Sequence, residues 1–236
     1  MESQITFHRH GAQGKVISKG ADPSYMYELS PLLAYETGVH LGDGNLTCKK
    51  EWNLSRITYA GDRELDSEYY ESILPGILRS LYGKEPRIYH PKNERTVLVV
   101  FNSKEVARFK MEKLGLPNGS KAQLRHFPKI LVQKYPADLL RGIADADFCF
   151  YVNRNEPRIT ASFSSGVFAS EISRIMARLG IKHQVRRLIR RGKYEEYQLS
   201  VCGRRQLALW MRKVGFWNPK HAKKVHDYLG GEKVGF

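Results

Sequence analysis

Cysteine is scarce in this 236-residue chain, with only Cys48, Cys149 and Cys202. They lie too far apart for a C-x-x-C zinc pair, and an odd, sparse set excludes a disulfide framework and points to a reducing compartment. Long apolar runs are also missing. No stretch reaches the roughly 18 residues of a membrane span, so no membrane partner is expected. The opening MESQITFHRHGAQGK has no apolar core of a secretory signal, and a cytoplasmic setting is expected. The eight histidines show no metal-ligand spacing and read as surface or core residues. Asn is low, at eight residues, which argues mildly against an A/T-rich organellar origin. Acidic residues are few as well: 24 against 39 Lys and Arg, a net charge of +15. The deficit sits in the second half. Residues 1–120 carry 16 basic and 15 acidic side chains, a net of +1, and residues 121–236 carry 23 and 9, a net of +14. Those cations are interleaved with Val, Leu, Ile, Tyr and Phe, as on a folded surface. A polyanion is therefore the expected partner, nucleic acid first.

What is present is a unit that occurs twice. ETGVHLGDGNLTC at 36–48 and LRGIADADFCFYV at 140–152 are both helix-like runs with small residues four apart, each ending in an Asp and turning into a strand-like stretch. Their offset is 104 residues. A second pair, KLGLPNGSK at 113–121 and KVGFWNPK at 213–220, repeats at an offset of about 100. The elements between agree. Ser30 as N-cap and Pro31 at N1 open a helix to about residue 43. Strands follow near 45–50 and 54–60, then a helix at 66–81 stopped by Gly83, strands near 86–91 and 96–102, and a helix near 103–114. Pro136 opens the corresponding helix to Asp147, with strands near 148–154 and 158–164, a helix at 167–179 ending at Gly180, strands near 182–190 and 195–202, and a helix near 203–213. A last helix covers about 219–229. The fold class is α+β, two αββαββα repeats: 1–26 a polar arm, 27–121 the first repeat, 122–135 a linker and 136–236 the second repeat.

Ala34, Gly38 and Gly42 share one helical face, as do Gly142 and Ala146. Small residues at this spacing let two helix backbones approach closely. If the two faces pack, the helix C-termini lie side by side and bring Asp43 to Asp147. A carboxylate at a helix C-terminus opposes the macrodipole, and two of them ~5 Å apart repel by several kcal/mol at an effective dielectric near 20. A divalent metal between them removes the conflict. Hard cations take carboxylate, water and phosphate oxygens and stabilise both oxygens of a phosphodiester displacement. Asp-Gly is otherwise a plain turn dipeptide; it is the duplication that favours the metal reading.

GVHLGDG at 38–44 and LRGIADADF at 140–148 resemble the two signature helices of the LAGLIDADG homing endonucleases, and the repeat order and the second landmark resemble that family too, over about residues 29–229. The resemblance implies two pseudo-symmetric repeats packed through these helices, with antiparallel sheets forming a DNA-binding saddle. It implies a monomer that makes double-strand breaks in a long asymmetric site. It places the metal on Asp43 and Asp147, with the Gly42 and Ala146 carbonyls as further donors, and a catalytic-site lysine at Lys121 and at Lys220. Mg²⁺ is the implied metal, with Mn²⁺ a substitute and Ca²⁺ bound without cleavage. Leu41 replaces the motif's sixth-letter Asp, which the second copy keeps as Asp145, and Phe148 replaces its last Gly. Asp145 reads as structural.

Alternation assigns the sheet faces. Leu46, Cys48, Phe150 and Val152 fall on the core side, and Asn45, Thr47, Lys49, Cys149, Tyr151 and Asn153 on the groove side. Arg158, Thr160 and Ser162 form one polar set, and Gln184, Arg186, Arg190, Gln198 and Ser200 another. These are types that read base edges in a major groove. Arg190-Arg191-Gly192-Lys193 reads as a hairpin tip. Trp52, Trp210 and Trp217 read as packing residues. Double-stranded DNA is the expected partner. An RNA maturase acting on intron RNA, or an inactive DNA-binding regulator on the same scaffold, is the alternative.

Overall fold

The computed structural model describes residues 27–190 and 192–230; the arm expected at 1–26 lies outside them. Ser30 accepts a hydrogen bond from the Leu33 amide and Pro31 takes the first turn, so helix α1 spans Pro31–Asp43. Strands β1 (Gly44–Lys49) and β2 (Leu54–Asp62) follow. Then comes a helix that begins as a π-turn, Tyr69–Ile73, and continues as α2, Leu74–Tyr82, to Gly83 in the left-handed region. Pro75 explains the change of pitch. It has no N–H, so one rung of the ladder is missing and the turn before it widens. The helix expected at 66–81 is therefore present as one continuous helix with a wider turn inside it. Strands β3 (Arg87–Tyr89) and β4 (Thr96–Asn102) and helix α3 (Lys104–Glu112) complete the first repeat.

The segment expected as a plain linker carries a short helix, α4, Lys129–Lys134. Pro128 starts it, and Phe127 and Leu131 are buried, which holds six residues helical against the core. The second repeat then runs α5 (Pro136–Asp147), β5 (Cys149–Asn153), β6 (Glu156–Phe163), α6 (Gly166–Arg178), β7 (Gln184–Arg190), β8 (Tyr194–Cys202), α7 (Arg204–Lys213) and α8 (Pro219–Gly230).

Each repeat holds one four-stranded antiparallel sheet, in the orders β1-β2-β4-β3 and β5-β6-β8-β7. The same tie closes each, from the Ser103 amide to the Ser55 carbonyl in one repeat and from Gly203 to Pro157 in the other. One face of each sheet lies on the core. Leu46, Ile57, Tyr59, Val99 and Phe101 are buried in the first, and Phe150, Ile159, Leu199 and Val201 in the second. Val152 departs from the expected pattern. It is 43% exposed, because it pairs with Pro157 at the end of the β5–β6 hairpin. Among the described residues no helix is long and apolar enough to cross a membrane.

The repeats join through α1 and α5. A Cβ on Gly38 would stand 2.2 Å from the Leu139 carbonyl oxygen, and one on Gly142 2.0 Å from that of Tyr35. Residues 35 and 38 match 139 and 142 at the 104-residue offset, so these are one contact seen from both sides of a pseudo-twofold axis. Any side chain at either glycine would force the backbones apart.

Candidate metal centre and nucleic-acid face

The close approach of α1 and α5 continues to their C-termini. A Cβ on Gly42 would lie 2.4 Å from that of Ala146 and 3.0 Å from Oδ2 of Asp147. Asp43 ends α1 and Asp147 ends α5, so the helix ends place the two carboxylates together. Burial pushes the Asp43 carboxyl up to about 7; the hydrogen bond from Tyr70 opposes that rise, the charge of Asp147 adds to it and Lys121 opposes it. Burial likewise pushes Asp147 up to about 6, against the pull of Lys121. Asp43 is half-buried and Asp147 lies at the open end, and two adjacent carboxyls with raised proton affinity are a site short of positive charge.

Lys121 partly answers that shortage. Its Nζ donates to the Leu41 carbonyl at 2.9 Å and to that of Gly42. It thus caps the C-terminus of α1, where a cation offsets the helix dipole. Burial lowers its pKa, with Asp147 and Asp43 holding it up. The Gly42 carbonyl expected as a metal donor is therefore engaged with this ammonium, while Ala146 fills the space facing Gly42. Among the described residues no cluster of three or more His, Cys, Asp or Glu forms. A cation here would have Asp43 and Asp147 as its carboxylate donors and would complete its shell with water and phosphate oxygens, which suits a hard divalent ion.

Lys220 is placed differently. Its Nζ lies 2.7 Å from Asp66 Oδ1, and Asp66 also accepts from Asn218 Nδ2 at 2.8 Å. Asn218 donates in turn to the Asp145 carbonyl at 3.2 Å. The Asp145 side chain is buried and accepts from the Tyr35 hydroxyl at 2.6 Å and the Trp217 amide at 2.9 Å. The second landmark loop is thus sewn to both repeats through Asp66 and Asp145. Asp66 and Tyr70 were not among the expected site residues. The apolar spacing of α2 starts after both, so a search for periodicity passes over them.

On the open faces of the sheets the register does the sorting. Thr160 stands between Cys149 and Ser200, Arg158 between Tyr151 and Cys202, and Ser162 beside Gln198. Gln184 pairs with Ser200 and Arg186 with Gln198. The two polar sets read from the sequence are therefore one continuous face, with Asn153 and Arg190 at its far ends. Its guanidinium groups are held by neighbours: Arg158 by Glu156 at 2.7 Å, Arg190 by Glu196 at 2.8 Å, and Arg186 by Gln184 at 3.1 Å. In the first sheet Asn45 pairs with Thr58 and Thr47 with Arg56, and Asn45 donates to Thr47 at 3.0 Å. Lys49 lies 4.0 Å over the ring of Trp52. Trp52 is 68% exposed and so is no packing residue, whereas Trp210 is fully buried and Trp217 packs at a tilt against Tyr35 with ring centroids 4.3 Å apart.

Arg56 and Arg87 share this face with Asn102 and Val100 and line an open groove of about 700 Å³ with Lys84 and Tyr89. Alternation through Arg56 and Thr58 already carried that signal. His40 and His221 are buried, in keeping with core histidines.

Residues 134–215 match the model of the LAGLIDADG-like domain. No curated protein matches the chain significantly. Among solved structures, I-DmoI in complex with DNA and calcium is 16% identical, covering 84% of this chain and 97% of that one with a TM-score of 0.60. The DNA complex of I-DmoI with manganese is likewise 16% identical, covering 78% and 96% with a TM-score of 0.56. The LAGLIDADG meganuclease I-AabMI bound to uncleaved DNA is 14% identical, covering 86% and 90% with a TM-score of 0.52. The chain thus has the LAGLIDADG fold, with two repeats.

Proposed function

We propose that this chain is a monomeric, metal-dependent endonuclease that cuts both strands of a long asymmetric DNA site seated across the two sheets. One observation carries the reading: the close glycine-lined approach of α1 and α5 ends in two adjacent carboxylates, Asp43 and Asp147, whose raised proton affinity marks a place where a cation would be held. The solved structures of the same fold include complexes with DNA and divalent ions. A bound divalent cation would supply Lewis-acid stabilisation to the attacking and leaving oxygens of phosphodiester hydrolysis. Mg²⁺ is the proposed ion, with Mn²⁺ able to substitute.

The protein's own groups set up that chemistry. Asp43 and Asp147 present oxygens from two rigid helix ends. Tyr70 donates to Oδ2 of Asp43 and so restrains the carboxylate's rotation. Lys121, tied to the end of α1, keeps a positive charge beside both, where it would stabilise charge developing on a phosphate. Lys220 holds Asp66 and so acts on position more than on charge. The polar faces carrying Asn45, Thr47, Lys49, Tyr151, Asn153, Arg158, Thr160, Gln184, Arg186, Arg190 and Gln198 would contact the DNA, one half-site per repeat. A cytoplasmic location completes the proposal.

The test is Asp43→Asn and Asp147→Asn, each near in shape to the parent. Cleavage of a DNA library containing the site in Mg²⁺ should fall at least a hundredfold in both, while binding in chelator stays equal or tightens as repulsion from phosphate is removed. Full cleavage by both variants overturns the two-carboxylate site.

A further inference from the structure

The helical backs of the two repeats carry very different charge. α2 and α3 cover the core face of the first sheet as α6 and α7 cover that of the second. Residues 67–86 and 103–114 hold six Lys and Arg against five acidic residues, a net of +1; the matching 164–183 and 203–214 hold seven against one, a net of +6. The change is position by position. α3 and α7 share a register fixed by the amide-to-carbonyl bonds Ala107 to Ser103 and Leu207 to Gly203, and in that register Glu105 becomes Arg205 and Glu112 becomes Arg212. In the first repeat Glu105 accepts from Ser103 at 2.8 Å and Glu112 pairs with Arg108 at 4.0 Å. Arg205 and Arg212 are exposed and have no carboxylate partner among the described residues.

These cations form one surface. Lys213 donates to the Leu179 carbonyl at 2.6 Å, the Lys182 amide to Gln206 at 2.9 Å, and Arg178 to the Gln133 carbonyl at 3.0 Å, so the ends of α4, α6 and α7 meet. Exposed Lys223 and Lys224 lie on the next helix, α8, which is tied to α7 through the ring contacts Trp210–Phe216 and Phe216–His221. The fold does not require this surface, since the first repeat takes the same architecture without it. The DNA proposed above does not reach it either, because that DNA lies on the opposite side of the sheet. Turning the same duplex round the molecule would need more than the 40–90° bend that already costs about 1–6 kcal/mol.

We infer that the back of the second repeat is a second nucleic-acid surface whose ligand is a structured RNA; only the assignment of the opposite face to DNA rests on the endonuclease reading. α7 exposes cations with no aromatic side chain to stack on bases, and its apolar residues Leu207 and Trp210 are buried. Such a surface reads backbone and shape, the mode by which A-form helices are recognised. A lipid surface is disfavoured, because interfacial helices turn an apolar face outward and α6 exposes only Val167 among large hydrophobics, α7 and α8 none.

The test uses the full chain saturated with a random-sequence DNA duplex in chelator, and a labelled RNA hairpin of about 20 base pairs, long enough for shape recognition. The RNA should bind the DNA-loaded protein. Arg205→Glu with Arg212→Glu, which installs the first repeat's own residues, should weaken RNA binding at least tenfold and reduce the salt slope by about 2. DNA affinity and the thermal midpoint should not change. Lys223→Glu with Lys224→Glu should do the same to a smaller extent, and Arg205→Gln with Arg212→Gln serves if reversal impairs folding. Displacement of the RNA by DNA, unchanged RNA affinity in the variants, equal uptake of a second DNA duplex, or binding of anionic vesicles in place of RNA would each overturn the inference. Loss of cleavage with RNA binding intact would instead count against the endonuclease reading alone.

Discussion

The centres of the two repeats solve one packing problem in opposite ways. In the first, Glu36 of α1 and Lys110 of α3 are both fully buried and paired at 2.7 Å, and the hydroxyls of Tyr59 and Tyr82 donate to the same carboxylate. Carrying these positions across by strand register and helix caps gives Leu140, Trp210, Ala161 and Leu179 in the second, all packed without charge. Trp210 takes the position of Lys110 and packs against Phe148 and Phe216, and its indole nitrogen has no hydrogen-bond partner among the described residues. The strand order is the same in both, so the fold is set by the glycine seam and the alternating strands, and each interior needs only to be filled and satisfied. A buried ion pair contributes little net stability over apolar side chains of like volume, whereas breaking one is severe.

Breaking the first centre is thus the largest expected effect. Lys110→Met leaves the Glu36 carboxylate without a counter-charge in the core and should lower unfolding free energy by about 3–5 kcal/mol. Replacing all four residues by their counterparts, Glu36→Leu, Tyr59→Ala, Tyr82→Leu and Lys110→Trp, should recover most of that loss. Urea unfolding of both proteins checks it. A single variant as stable as the parent, or a fourfold variant worse than the single one, would show that the two interiors are not interchangeable.

The two lysines sharpen the comparison at the site. Lys121→Met should cut DNA cleavage about a hundredfold, ~2.7 kcal/mol of barrier, with binding kept. Lys220→Met should cost less than tenfold in cleavage but lower the thermal midpoint, because Asp66 and Asn218 lose a partner. Equal losses of cleavage would make the lysines functional twins after all. A smaller effect is expected on the open faces. Arg186→Ala and Arg56→Ala should each weaken DNA binding several-fold; a phosphate contact would lower the salt slope by about 1, and a base contact would relax one position of the site. Unchanged binding in both would move the DNA off these sheets.

Much of this was legible in the sequence because it is written in short-range chemistry. Pro136 and Asp147 bound α5 as expected, Gly83 and Gly180 stop their helices in the left-handed region, and the i, i+4 small residues announce the helix seam. The rest depends on distant partners. Nothing near Glu36 or Lys110 says that they meet, the role of Tyr70 exists only because β2 and the π-turn bring it to Asp43, and Lys220 follows the motif yet finds Asp66 from the other repeat. Val152 alternates correctly and still lies exposed, because alternation does not say where the helical cover ends.

The smallest effect expected is in the pH dependence of stability, where the carboxylates of the two repeats act alike. Asp43 and Asp147 titrate near 4 when unfolded and at about 7 and about 6 when folded. The folded state therefore binds more protons across that window, so each carboxylate makes stability fall as pH rises from about 4 and has its full destabilising effect above about 7. Asp145 acts in the same direction, raised by burial to about 7. His221, lowered by burial to about 4, and His40, also lowered by burial, act oppositely and remove stability as pH falls below about 6.5. The raw curve mixes both trends, so the informative quantity is the difference between the metal-free parent and Asp43→Asn. That variant should be the more stable of the two at pH 8, and its advantage should shrink toward pH 5 and vanish near pH 4. Added Mg²⁺ should raise the parent's midpoint more at pH 8 than at pH 5, since protons compete for the same oxygens, and should leave Asp43→Asn with a much smaller shift. Parallel curves for the two proteins, or an equal Mg²⁺ shift in both, would mean that Asp43 is paired in some other way and that the strain at the helix ends is not what a cation relieves.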